Sequence, residues 1–110
     1  MSLTLYGLKN CDTCKKALKA LDAAGKPVSF VDIRAEADLP ALVPGWLEAA
    51  GADLLINHRS TTWRGLSDAD REGDPVQLLI ANPTLVKRPV IEQGSETYVG
   101  WSKDTQAALL

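Results

Sequence analysis

Two cysteines, Cys11 and Cys14, stand two residues apart in the run Asn10-Cys11-Asp12-Thr13-Cys14, and no other cysteine occurs among the 110 residues. A short apolar run, Leu3-Thr4-Leu5-Tyr6, and then Gly7 precede them, and a segment of helical pattern follows. A strand, a tight turn and a cysteine at a helix start make a reactive-thiol arrangement. The unpaired N–H groups and the positive end of the helix dipole stabilise a thiolate there. The thiolate is the nucleophile, so a lowered pKa makes the sulfur reactive near neutral pH. Cys11, at or just before the helix N-terminus, is the expected nucleophile. Cys14 lies one turn further, on the apolar side, and is expected to be less exposed and to hold its proton more tightly. Attack by Cys11 on an oxidised substrate leaves a mixed adduct. Cys14 could resolve it as an intramolecular disulfide, or glutathione could do so from solution. The competing reading is two inert thiols, since burial is the usual state of a free cysteine.

A second constellation is basic: Arg59 and Arg64 in one polar stretch, and Lys87-Arg88 ahead of Pro89. Arginine presents a rigid fork of donors suited to oxyanions and carboxylates. Near a thiolate such forks could hold a tetrahedral oxyanion or the carboxylates of glutathione; on their own they are ordinary solvated charges, and for Arg64 that plainer reading is the expectation. Pro89 leads into a strand pattern, and a cis bond there would expose the Arg88 backbone to an extended thiol ligand. His58, the single histidine, reads as an exposed loop residue rather than a base. Trp46 reads as core. Trp63 and Trp101 either border a groove or pack.

Composition narrows the class. At 110 residues one domain, 1–110, is expected, and 45% apolar residues suffice for a core. The net charge of -2 argues against direct nucleic-acid binding. The charge is uneven: residues 1–35 hold six basic and three acidic groups, and residues 36–80 three basic and eight acidic. The cysteine segment is thus the basic one, which suits a thiolate or an anionic substrate. Two thiols and a distant His58 are too few for a structural zinc site, so no metal is expected. Neither a signal peptide nor a bilayer-spanning run is apparent, so the expectation is a cytoplasmic protein with no membrane partner.

The elements that must position these groups follow from periodicity. Residues 3–6 read as a strand and 13–24 as a helix with Cys14, Ala17, Leu18 and Leu21 on one face. Gly25 and Pro27 stop it, and residues 28–33 alternate as a second strand. The connection should be right-handed and the two strands parallel. Residues 38–50 carry a helical pattern that Pro44 should kink or restart. Leu54-Leu55-Ile56 is too short to assign, and 58–65 reads as a basic loop. Ser67 with Asp70 could start a helical turn, and Asp74-Pro75 starts a helix with Val76, Leu79 and Ile80 on its face. Residues 90–92 and 96–99 flank Gln93-Gly94-Ser95 as a hairpin, and Ser102 caps a last helix packed through Ala107, Ala108 and Leu109. The order β-α-β, helices, β-β-α gives an α/β fold: a mixed four-stranded sheet with helices on its faces and a helical insertion at about 36–82.

Three segments carry a resemblance. Tyr6-Gly7 with Asn10-Cys11-Asp12-Thr13-Cys14-Lys15-Lys16-Ala17, then Leu55-Ile56-Asn57-His58-Arg59-Ser60-Thr61-Thr62-Trp63-Arg64, then Asn82-Pro83-Thr84-Leu85-Val86-Lys87-Arg88-Pro89-Val90 together resemble the ArsC/Spx family, nearest its YffB-like branch. The resemblance spans residues 3 to about 102. It implies a thioredoxin-like (glutaredoxin-like) fold, Cys11 as nucleophile, Pro89 in cis, Arg88 lining the thiol site, and Arg59 as a further arginine of the branch. Asn10, inside the first motif, and Arg64, inside the second, are then expected to contact substrate. It implies a thiol reductase, arsenate reductase-like, with no tightly bound cofactor and with glutathione as co-substrate or glutaredoxin as partner. The glutaredoxin-coupled arsenate reductases hold the oxyanion with three arginines. Arg88 matches one, the first falls near Asn57 or Arg59, and the third falls near Gly100, where no arginine stands. That speaks against arsenate itself as the substrate. Spx proteins use a C-x-x-C pair as a redox switch and bind RNA polymerase, so a regulator switched through Cys11 and Cys14 is the alternative.

Overall fold

The computed structural model describes residues 3–110. The chain runs β1 (Leu3–Gly7), α1 (Asp12–Ala23), β2 (Val28–Asp32), α2 (Leu39–Ala50), α3 (Ala52–Leu55), α4 (Thr61–Arg64), α5 (Asp68–Arg71), α6 (Pro75–Ala81), a 3-10 turn (Pro83–Leu85), β3 (Val90–Gln93), β4 (Glu96–Val99) and α7 (Lys103–Leu109). It divides into two compact units, one formed by the segments up to Ala37 and from Arg88, the other by Asp38–Lys87.

The first unit is a mixed sheet in the order β2-β1-β3-β4. β1 is parallel to β2 and antiparallel to β3, and β3 and β4 form a hairpin. This is the thioredoxin-like arrangement expected from the element order. The register sets Phe30, Leu5, Ile91 and Tyr98 in one row across the sheet. Side chains alternate between the two faces of a strand, so this row and Leu3 share a face. Cys14, Ala17 and Leu21 of α1 and Leu109 of α7 complete the core cluster, with Cys11, Leu18 and Trp101 packed at its margin. α1 therefore buries the face that its apolar spacing marks. It ends at Gly25, whose φ of 74° is in the left-handed region that favours glycine. α7 starts at Ser102, whose hydroxyl accepts the N–H of Thr105 at 3.3 Å. It packs through Thr105 and Leu109, while Ala107 and Ala108 face solvent, against expectation. A seven-residue helix needs only one narrow apolar stripe.

The second unit is helical and is built on Leu39, Val43 and Trp46 of α2 with Leu55, Leu78, Leu79 and Leu85, all buried. α2 runs unbroken through Pro44. The proline removes one hydrogen bond but lies exposed, and burial of Val43 and Trp46 on the other side keeps the helix whole. Residues 61–64 form a helical turn rather than the expected loop. Its start is fixed by Ser60, whose hydroxyl accepts the N–H of Trp63 at 3.1 Å. α6 buries Leu78 and Leu79 rather than Val76 and Ile80. The unit reaches Lys87 rather than 82 because residues 55–57 pair with 85–87 in a short antiparallel bridge. There Asn57 N–H donates to Leu85 O and Lys87 N–H to Leu55 O, each at 2.7 Å. Among the described residues no helix is long and apolar enough to cross a membrane.

Candidate active site

Cys11 is the N-cap of α1, with extended backbone (φ -90°, ψ 119°). β1 delivers it through a turn in which the Cys11 N–H donates to Leu8 O at 3.2 Å. Its own carbonyl accepts the first helical bond, from Lys15 N–H at 3.0 Å. The thiol is half-buried and both cysteines are free. No side chain closes the α1 N-terminus with a cap hydrogen bond, so the first-turn amides stay available to the sulfur.

Burial alone would raise the Cys11 pKa, yet it is lowered from 9.0. The Cys14 backbone N–H, then the Cys14 thiol, then the Arg88 guanidinium favour the thiolate and together outweigh burial. Cys14 is the reverse case. It is wholly buried in the core cluster, and burial, with the neighbouring Cys11 thiolate as a smaller cause, pushes it up to about 12, against a backbone hydrogen bond from Leu8. The two thiols thus separate: one poised to ionise, one held as a proton donor.

Gly7 makes this placement sterically feasible. A methyl group on Gly7 would collide with Cys14 Sγ. The sequence places Gly7 as the end of a strand. What it does is let α1 approach β1 at the depth of the buried thiol.

On the other side, the Arg88–Pro89 bond is cis, as the resemblance implies. Pro89 O accepts the N–H of Gly100 at 2.8 Å. Gly100, with φ 84°, turns the chain out of β4. The resemblance puts the third arginine of the arsenate reductases near this position, and in this chain Gly100 serves the backbone that holds Pro89. The only signal for it in the sequence is a lone glycine after a strand.

The sheet unit therefore brings Cys11, Cys14 and Arg88 into hydrogen-bonding contact, with Pro89 next to Arg88 and Asn10 next to Cys11. Arg59 and Arg64 belong to the helical unit, where both are exposed. The Arg59 N–H donates to Asn57 Oδ1 at 3.1 Å, and Arg64 O accepts from Arg71 Nη2 at 3.2 Å. His58 is exposed and meets Trp63 edge-on with ring centroids 4.6 Å apart. Arg71 stacks over the Trp63 ring at 5.5 Å and donates to Trp63 O at 3.2 Å. Trp63 thus packs within its unit, and Trp46 is core. Among the described residues no cluster of His, Cys, Asp or Glu could hold a metal ion.

Sequence and structure comparisons agree with this fold. A Haemophilus influenzae protein of uncharacterised function is 40% identical, with 96% of this chain and 97% of that protein covered. The global transcriptional regulator Spx of Listeria innocua is 30% identical over 93% of this chain and 82% of Spx. Among solved structures, the YFFB protein superposes with a TM-score of 0.87 at 35% identity, covering 99% of both chains. An arsenate reductase (ArsC) related protein from Brucella melitensis gives 0.79 at 34% identity, covering 98% of this chain and 93% of that one. The ArsC family model matches residues 6–109, and the chain belongs to the ArsC family.

Proposed function

We propose that the protein is a thiol-dependent reductase in which Cys11 is the nucleophile and glutathione the co-substrate. The Cys11 thiolate attacks one sulfur of an oxidised substrate, such as a mixed disulfide. The substrate S–S bond breaks, a Cys11–S bond forms, and the leaving thiolate takes a proton from water. Glutathione thiolate then attacks the adduct sulfur and releases Cys11. Arg88 stabilises the thiolate before attack and again at its release. The observation that carries this reading is the set of groups converging on Cys11: the α1 N-terminus, the Cys14 thiol and the Arg88 guanidinium. Cys14, wholly buried and with its pKa pushed up to about 12, supports glutathione over Cys14 as the resolving thiol. Arg59 and Arg64 enter this reading through the donor chemistry of arginine and the family resemblance.

The thiolate absorbance of Cys11 against pH tests the first step, read as the difference between the protein and its Cys11→Ser variant. The midpoint should lie below that of an ordinary cysteine, about 8.5; a midpoint at or above it sinks the activated-nucleophile reading. Glutathione-coupled turnover of a small mixed disulfide should survive Cys14→Ser, and its loss would make Cys14 the resolver.

The Spx relatives, together with two adjacent thiols, favour a second reading: a redox-sensing regulator that binds RNA polymerase when Cys11 and Cys14 are joined. Capture of RNA polymerase subunits by the oxidised protein, with no thiol turnover, would select it.

A further inference from the structure

We infer that the cleft beside the Cys11 loop is a carboxylate subsite for a peptide thiol that reacts at Cys11, an inference that rests on the reductase reading above. The cleft has a volume of about 420 Å3 and is lined by Leu8, Lys9 and Asn10 on one wall and Asp32, Arg34 and Ala35 on the other. That volume lies in the range of small-ligand clefts. Both walls are turns that leave the carboxyl ends of adjacent parallel strands, which is where open α/β sheets bind ligands. Register places them side by side: Gly7 pairs with Asp32, and Ile33 N–H donates to Gly7 O at 3.0 Å.

The charge of the cleft is what selects the ligand. Asp32 is turned to the turn itself: its Oδ1 accepts the N–H groups of Arg34 at 2.8 Å and Ala35 at 3.1 Å. Its own N–H donates to Glu36 Oε1 at 3.1 Å. Lys9 and Arg34 are exposed, and among the described residues neither is in an ion pair. Two uncommitted cations and the Asn10 amide thus face one cleft, a set suited to a carboxylate. Lys9 is two residues from Cys11, so their Cα atoms lie within about 7.6 Å. A compact oxyanion bonded to Cys11 ends at the sulfur. A di- or tripeptide thiol bonded there carries its chain beyond the sulfur, and in the inferred subsite the carboxylate of that chain lies between Lys9 and Arg34.

The test is the rate at which Cys11 exchanges with three symmetric disulfides, followed by mass: anionic glutathione disulfide, neutral hydroxyethyl disulfide and cationic cystamine. In each case Cys11 Sγ bonds to one sulfur, the disulfide opens, and the released thiolate takes a proton from water. The unmodified protein should prefer the anionic reagent. In the double variant Lys9→Ala/Arg34→Ala the anionic-to-neutral rate ratio should fall roughly three- to tenfold, as expected for two solvent-exposed ion pairs. Lys9→Glu/Arg34→Glu should favour cystamine. Arg88 is intact throughout, so its own attraction for anions cancels in the comparison. A ratio that stays within twofold in both double variants overturns the subsite while leaving the reductase reading in place. If Cys11 reacts with none of the three, the reductase reading fails and the subsite falls with it.

Discussion

Cys11 is activated by Cys14, one helical turn on, and by Arg88, and Arg88 is the one that brings a full charge. Its guanidinium both donates to the Cys11 sulfur and attracts the thiolate, opposing a burial that alone would protect the proton. Arg88→Ala removes both effects. The pH midpoint of Cys11 alkylation should rise, and the rate at neutral pH should fall by roughly tenfold, the order expected for one charge-assisted hydrogen bond in a half-exposed site. Arg88→Lys keeps a positive charge and loses the fork, so it should fall between the two. Iodoacetamide alkylation rates against pH measure all three proteins. An unchanged midpoint in Arg88→Ala would assign the activation to the helix N-terminus and Cys14 alone.

At the scale of elements, the site is the junction of β1 and α1, and its tolerance is set by Gly7. A Cβ there meets Cys14 Sγ, which sits wholly buried and has no room to withdraw. Gly7→Ala should destabilise the protein by about 1–3 kcal/mol, the usual cost of overpacking a tight core. Gly45→Ala is the matched control: its Cβ meets nothing within 4 Å, and Gly45 is exposed inside α2. It should stabilise by about 0.5–1 kcal/mol through the helix preference for alanine. Urea unfolding of both variants gives the two signs, and equal effects would remove the special role of Gly7. The same junction shows what a sequence discloses. β1 and α1 were legible because burial follows their own period, down to Cys14 on the core stripe, and β2 because its residue types alternate, although none of Val28–Asp32 is fully buried. α4 was not, because its four residues Thr61–Arg64 carry a single apolar side chain, Trp63, and so no period, and its one signal, the Ser60 cap, is local. α2 continued through Pro44 because tertiary burial outweighs one lost hydrogen bond. Arg88 and a cis bond at Pro89 were suggested by an arginine ahead of a proline that leads into a strand, and the resemblance set Arg88 beside the thiol, while Lys9 and Arg34 as walls of one cleft needed the register of β1 against β2. That pairing is a long-range fact that no local pattern contains.

For the whole molecule, two proton donors, the buried Cys14 and the half-buried Tyr6, predict how stability depends on pH. Cys14 keeps its proton in the folded state up to about 12, against 9.0 in its unperturbed state, because burial opposes ionisation. Tyr6 is raised likewise from 10.0 to about 12, first by burial and then by donating to Glu92. A group whose folded pKa is raised stabilises fully below its unfolded pKa and loses that contribution as pH climbs toward the folded one. The unfolded chain then releases protons that the folded chain still holds. Stability should therefore decline from about pH 9 toward pH 12, with Cys14 contributing a slope of up to about 1.4 kcal/mol per pH unit. Cys11 has the opposite sign. Its lowered pKa contributes stability that still rises with pH up to about the unfolded value of 9.0, so Cys11 opposes the decline at its onset and adds no slope only well above it. Chemical unfolding between pH 8 and pH 11, values chosen to straddle that onset, should show the decline in the unmodified protein and a shallower one in Cys14→Ala. In Cys14→Ala the part due to Tyr6 should remain, beginning about one pH unit higher, and Tyr6→Phe should remove it. A decline as steep in Cys14→Ala as in the unmodified protein would mean that the buried thiol is not what the core protects.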